Sequence, residues 1–187
     1  SCSDHDRKVT LQQEISDTIN KQLEAQAYNP SILAKLKEIN LAENNKFFLW
    51  HTWFSDVFSR DDKEGFDIVI GNPPYIGEKG HKEIFQPVKA DIHLGQYYLG
   101  KMDYFYFFFH LAFNMLSPNG VTTFITTNYY PTALGARRLR ADIKDRMNIR
   151  TLFNLGELRL FENAPGQHNM ISSFSKGKDD CKCRVID

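Results

Sequence analysis

Four consecutive residues, Asn72-Pro73-Pro74-Tyr75, put a side-chain amide, two proline carbonyls and an aromatic face into one short turn. Such a set can grip a planar group that carries an NH2. The nitrogen of an exocyclic amine is a poor nucleophile, because its lone pair is delocalised into the attached ring. Two hydrogen-bond acceptors, one for each N–H, fix that nitrogen and favour a pyramidal, more nucleophilic geometry. The side-chain oxygen of Asn72 is one acceptor and the carbonyl of Pro73 the other. Proline lacks an N–H and fixes its own φ. It also keeps its predecessor out of helical backbone, so Asn72 and Pro73 are extended and the Pro73 carbonyl is not consumed by a helix. Tyr75 offers a stacking face, worth about 1–3 kcal/mol for a base. No strong base is required, since the amine becomes cationic only as the electrophilic carbon arrives and loses its proton afterwards. Positioning and preorganised electrostatics carry the acceleration. Taken alone, the four residues also suit a plain turn after a strand or a proline-rich ligand segment.

The surrounding elements decide between these readings. Phe66-Asp-Ile-Val-Ile-Gly71 reads as a strand, and its continuous apolar run suits burial on both faces in a parallel sheet. Ahead of it, Asp61–Gly65 is a polar turn, and the aromatic-rich residues 46–58 are expected to pack in a core beside the sheet. Residues 4–40 are helical by periodicity, with Leu11, Ile15, Ile19, Leu23 and Ala27 one turn apart. Asn29-Pro30-Ser31 interrupts them, with Ser31 capping a second helix that carries Ile32, Leu33, Leu36 and Ile39. After the turn, residues 77–102 read as a long loop, of a length that is usually functional or mobile. Residues 103–116 form an aromatic helix stopped by Ser117-Pro118-Asn119-Gly120. Strands follow at 121–127, 149–155, 170–175 and 184–186, with a basic helix at 136–147. Alternating strands and helices predict a doubly wound α/β sheet, whose ligands lie beyond the carboxyl ends of the strands. Asn72–Tyr75 occupies such an end.

Composition excludes several classes. With 42% hydrophobic and 25% charged residues the chain is globular, and its 187 residues allow one ordinary core. Equal numbers of acidic and basic residues give no global field toward nucleic acid, so any such contact needs a local patch. Three cysteines, Cys2, Cys181 and Cys183, lie near the ends, and Cys181-Lys-Cys183 lacks the second pair of ligands a zinc site needs. No metal is expected. The polar start lacks the apolar core of a signal peptide, and the most apolar run, Tyr104–Phe113, is too short to span a bilayer. No membrane partner is expected, and a cytoplasmic location is.

The run Gly65–Ile76 resembles the N6-adenine DNA methyltransferases, above all the type IIG-like group in which methylase and nuclease are fused in one restriction–modification protein. Other stretches resemble it in order: Phe48–Phe58 before the motif, Asp103–Gly120 after it, then Phe124–Tyr130, Gly135 and Leu139-Arg140, then Leu155-Gly156-Glu157, Phe161 and Met170–Phe174. The resemblance covers residues 46–178. It implies a partial Rossmann-like class I methyltransferase sheet with flanking helices, preceded by a helical segment at 1–45, so that 46–187 is the catalytic-motif half. It implies transfer of methyl from S-adenosylmethionine to an adenine extruded from duplex DNA, as N6 cannot be reached inside the duplex. In that setting Asn72, Pro73, Pro74 and Tyr75 are catalytic, and Phe174 corresponds to an aromatic residue stacking on the base opposite Tyr75. A core phenylalanine in a strand is the plain alternative for Phe174.

The sequence departs from the family upstream. No Gly-x-Gly cofactor turn precedes Asn72 and no target-recognition domain is recognisable, so the chain is expected to be a piece of a larger enzyme, with little activity alone. Lys79 and Lys82 in the loop, and Arg137, Arg138 and Arg140 in the basic helix, are candidate DNA contacts, against solvated surface charge as the alternative. Asp103 either supports the catalytic loop or caps its helix. Two rival functions share the motif: methylation of a glutamine side chain or of RNA, and a catalytically incomplete module serving assembly or DNA contact.

Overall fold

The computed structural model describes residues 2–25, 30–38, 48–158, 160–161, 168–178 and 183–186. It divides into two compact units, Ser1–Ser59 and Arg60–Asp187. In the first, helix α1 spans Cys2–Ala25 and α2 Pro30–Lys37. The second helix starts on Pro30, whose missing N–H is harmless in a first turn, so Ser31 lies inside the helix. Of the α1 stripe, Ile19 is buried while Leu11 and Ile15 are exposed. Ala27, Asn29, Ile39, residues 46–47 and Cys181 lie outside the described residues, as do the side chains of Leu23, Ile32, Leu33 and Leu36. The aromatic segment forms two single-turn helices, α3 (Trp50–Trp53) and α4 (Ser55–Phe58). It groups with the helices of the first unit, and Phe48, Trp53 and Phe54 remain exposed instead of entering a core. Its rings pack on one another, Phe48 edge-on to Trp50 at 4.7 Å and Trp50 stacked on Phe54 at 6.0 Å.

The second unit is α/β. Its strands are β1 (Phe66–Gly71), β2 (Leu116–Thr127), β3 (Met147–Asn154), β4 (Asn169–Lys176) and β5 (Arg184–Ile186). Its helices are α5 (Lys82–Ala90), α6 (Phe105–Met115) and α7 (Arg137–Arg146), with 3-10 turns at Gly95–Tyr97 and Leu134–Ala136. Among the described residues the sheet order is β1-β2-β4-β3-β5. Strands β1 and β2 are parallel, as are β3 and β5, whereas β4 runs antiparallel to both its neighbours. The expected α/β sheet with flanking helices is present, and it is mixed because β4 runs against its neighbours. That strand follows β3 with no helical crossover among the described residues, and adjacent strands joined without one pair antiparallel.

Two further expectations are corrected. Strand β1 is at the edge of the described sheet and is not buried on both faces: Ile68 is 69% and Ile70 75% exposed. The run 77–102 is not structureless, since it contains α5 and the 3-10 turn, and α5 buries Phe85 and Val88.

The core is built on α6. Phe105, Phe109 and Phe113, one turn apart, are all fully buried. Phe109 meets Phe124 of β2 at 5.0 Å, Tyr130 at 5.6 Å and Phe174 of β4 at 5.6 Å. Each such phenylalanine contributes about 1.5–3 kcal/mol by leaving water, so this stripe fixes α6 on the sheet. Gly65, just before β1, has φ +106°, and a Cβ there would lie 2.7 Å from the backbone of Met115 and Ser117. That approach seats the start of β1 against the junction of α6 and β2.

A polar cluster joins α6, α7 and the 91–101 segment. Buried His110 shares a 2.6 Å hydrogen bond with Asp142, which also pairs with Arg146, and Arg146 donates to Asn114 at 2.8 Å. Tyr97 stacks on the imidazole at 3.5 Å. Burial holds the His110 pKa below its ordinary 6.5 despite the Asp142 carboxylate, and among the described residues the buried Nε2 has no hydrogen-bond partner. The neutral ring therefore donates from Nδ1, and protonation would add an unpaired buried donor at Nε2. Since the unfolded chain takes up this proton first, the associated stability is present above about pH 6.5 and is lost as pH falls below it. We expect the melting temperature to decline from pH 7.5 to pH 5, and His110→Phe to flatten that decline. Parallel curves for the two proteins would contradict this.

Candidate active site

The turn Asn72–Tyr75 leaves the carboxyl end of β1 where Gly71 pairs with Phe124 of β2. Asn72 and Pro74 are exposed, Pro73 is buried and Tyr75 is half-buried. Among the described residues the Pro73 carbonyl joins no backbone hydrogen bond, and Pro74 keeps it out of a helix that would consume it. The Tyr75 hydroxyl lies 2.5 Å from Asn72 Oδ1 and 2.9 Å from the carbonyl of Ile125 in β2, and its ring meets Phe105 edge-on at 6.0 Å. One hydroxyl proton cannot serve both acceptors fully. When it goes to Ile125, the Asn72 carboxamide can donate its NH2 to the hydroxyl and turn its oxygen outward. Burial, then the Asp103 charge, pushes the Tyr75 pKa up to about 12, so this phenol is a donor and not a base at neutral pH.

The segment after the turn is held by α6. Asp103 accepts from the amides of Ile76 at 3.1 Å and Phe105 at 3.4 Å, so it both supports the loop and caps the helix. Tyr104 N donates to Ile76 O and Glu78 N to Met102 O, each at 2.9 Å, and Gly77 bridges to Asp103. Burial raises the Asp103 pKa against the opposing effect of these amides. Asp103→Ala would leave the Ile76 and Phe105 amides unpaired, and we expect a loss of about 1–3 kcal/mol in denaturant unfolding. Asp103→Asn, which keeps the acceptor, should retain most of the stability. Equal effects of the two substitutions would contradict the bracing role.

Other groups around the turn are already engaged. Asp67 in β1 accepts from Lys63 at 2.6 Å, Arg60 at 3.2 Å and Ser117 at 3.1 Å, and these donors, Lys63 first, lower its pKa to about 2. Burial pushes the Glu78 carboxyl up, but the Tyr98 hydroxyl and the amides of Met102 and Lys101 hold it below its ordinary value. Lys89 Nζ sits 4.3 Å over the Tyr98 ring. Sequence reasoning missed Glu78 and the Tyr97-Tyr98 pair. Adjacent tyrosines in a stretch of Gly and Gln were the available signal.

The remaining predicted residues are not all brought to the turn. Phe174 is 1% exposed, wedged between Phe109 and Phe113, and Thr122 and Ile149 flank it in the sheet. Its ring serves the core that α6 builds, with Phe109 between it and the Tyr75–Phe105 contact, and is not free to stack on a base in this conformation. Arg138 donates to the carbonyls of Gln96 and Tyr98, and Arg140 to those of Tyr130 and Ala133. Both guanidinium groups brace loops. Lys79, Lys82 and Arg137 are exposed. Among the described residues no helix is long and apolar enough to cross a membrane.

Residues 3–161 match the model of the Eco57I restriction-modification methylase family. The type II methyltransferases M.HincII and M.HindII of Haemophilus influenzae are each 26% identical over 133 residues, which is 71% of this chain and 26% of theirs. The chain thus spans about a quarter of the length of these curated relatives. Among solved structures, the EcoKI M protein of a type I restriction enzyme shares 17% identity with a TM-score of 0.43, covering 61% of this chain and 21% of that one. The type IIG restriction endonuclease BpuSI shares 20% identity with a TM-score of 0.44, covering 60% and 14%.

Proposed function

The chain belongs to the Eco57I restriction-modification methylase family, and from that membership we propose that it forms the amine-gripping part of a DNA methyltransferase that modifies adenine at N6. The observation that carries the reading is the Asn72–Tyr75 turn at the carboxyl end of β1, with its tyrosine anchored to the next strand through Ile125. The Asn72 oxygen and the Pro73 carbonyl take the two N–H groups of the target amine. Tyr75 stacks on the base, which must leave the duplex to reach them. Phe174 is left out of this site because of its burial.

S-adenosylmethionine, when bound, supplies an electrophilic methyl on a sulfonium. Among the described residues, the acidic side chains flanking the turn are not free to hold it. The carboxylates nearest the turn in sequence, Asp67 and Glu78, are committed to Arg60, Lys63, Ser117 and Tyr98. We assign donor binding to parts of the parent protein that this chain does not span. The exposed Ile68 and Ile70 of edge strand β1 support this, since covering each would contribute about 1.5–3 kcal/mol. The chain alone is then expected to transfer no methyl. Labelled methyl transfer by the full-length protein onto duplex DNA, RNA and a release factor tests the reading. Label on DNA supports it, and label confined to either alternative substrate overturns it.

A further inference from the structure

The charges of this neutral chain are unevenly placed. Residues 92–141 contain a single acidic residue, Asp103, and its carboxylate is taken by the amides of Ile76 and Phe105. Two loops within that stretch meet in space. A Cβ at Gly135 would collide with the Lys101 carbonyl and stand 3.2 Å from Met102 Cα, so residues 134–136 lie directly on 101–102. Arg138 clasps the same junction through the Gln96 and Tyr98 carbonyls, and Arg140 stiffens the 130–133 turn from inside. The result is a braced tip. It presents Lys101 and Arg137, both exposed, together with Leu134. Leu134 and Ile92, each 85% exposed, are the two most exposed large apolar side chains among the described residues, and both sit on these loops. Next to Ile92, the Asp91 carboxylate is occupied by the amides of His93 and Leu94.

The tip borders the catalytic turn. Residues 101–103 pair with 76–78 through the Glu78–Met102 hydrogen bond and the Gly77–Asp103 bridge, and Ile76 follows Tyr75 directly. A rigid surface with apolar points, cations and no uncommitted carboxylate in its loops complements a polyanion that also exposes flat apolar faces.

We propose that the paired loops 92–102 and 128–137 are a docking surface for the DNA duplex beside the extruded base. Lys101 and Arg137 contact phosphates, while Leu134 and Ile92 make apolar contact with bases and sugars. This rests on the DNA reading above and assigns to two residues, one of them absent from the sequence-level candidates, the contacts that Arg138 and Arg140 do not make.

The test uses the full-length protein and short duplexes in a salt titration read by fluorescence anisotropy. Each lost phosphate contact lowers the slope of log Kd against log salt by about 0.9. We expect K101Q/R137Q to lose roughly two such contacts and to weaken binding to all duplexes alike. Leu134→Ser should weaken binding with the slope unchanged. K101Q/R137Q with wild-type slope and affinity would overturn the proposal, as would a slope restored in K101E/R137E. If the wild type methylates DNA while these variants bind normally, only this surface fails. If the wild type transfers no methyl to DNA, the underlying functional reading fails.

Discussion

Asn72→Ala in the full-length protein should lower kcat for methyl transfer by about 10²–10³-fold, the usual cost of removing one preorganised hydrogen-bonding group aimed at a developing charge. The KM for DNA should rise by a smaller factor, because the phosphates and the stacked ring hold most of the ground-state binding and the Asn72 hydrogen bond to the amine adds to it. The effect is expected to be one of chemistry and not of folding. Asn72 is exposed, and its one described side-chain contact is the Tyr75 hydroxyl, which retains Ile125 as an acceptor. Asn72→Asp keeps an oxygen facing the amine, and its charge favours the cationic nitrogen formed as the methyl arrives. It should therefore retain much more activity than the alanine variant. Kinetics in which Asp and Ala are equally inactive would mean that the carboxamide acts through its NH2 instead.

Tyr75 carries the second large effect, and it separates into two parts. Tyr75→Ala removes the stacking face, about 1–3 kcal/mol, or roughly 5- to 150-fold in affinity for the extruded base. It also removes the edge contact with Phe105. Tyr75→Phe keeps the ring and loses the ties to Asn72 and Ile125, about 1 kcal/mol net. The alanine variant should therefore show a raised KM and a lowered kcat, whereas the phenylalanine variant should bind DNA normally and lose less than tenfold in kcat. Equal losses would mean that the hydroxyl ties, and not the aromatic face, are what the site needs.

The sequence reveals the local parts of this site well. Strand β1, the aromatic helix α6 and the place of Asn72–Tyr75 at a strand end all follow from periodicity and from the two prolines. What it conceals depends on distant partners. Arg138 and Arg140 look like free cations in a basic helix, because the carbonyls that take them belong to loops starting as far as 42 residues away. Phe174 looks available for a base until α6 is laid on the sheet. Alternation in β4 puts Met170, Ser172 and Phe174 on one buried face, and Phe109 and Phe113 close over the last of them. The apolar run Ile68–Ile70 correctly gives a strand, but apolarity reports what a strand needs covered and not what covers it. Residues 77–102 lack periodicity, yet Glu78, Tyr97 and Asp103 hold them in place through pairings of long sequence separation.

The central claim is that Asn72 grips the amino group of the target base. It is tested most directly by measuring how tightly the full-length protein and its Asn72→Ala variant bind duplexes carrying either adenine or purine, which lacks the N6 amine, at the target position. The cost of extruding each base is common to both proteins and cancels in the cycle. The account predicts that the ratio of adenine to purine affinity is higher for the wild type than for Asn72→Ala. An Asn72→Ala protein that still discriminates adenine from purine as well as the wild type does would contradict it.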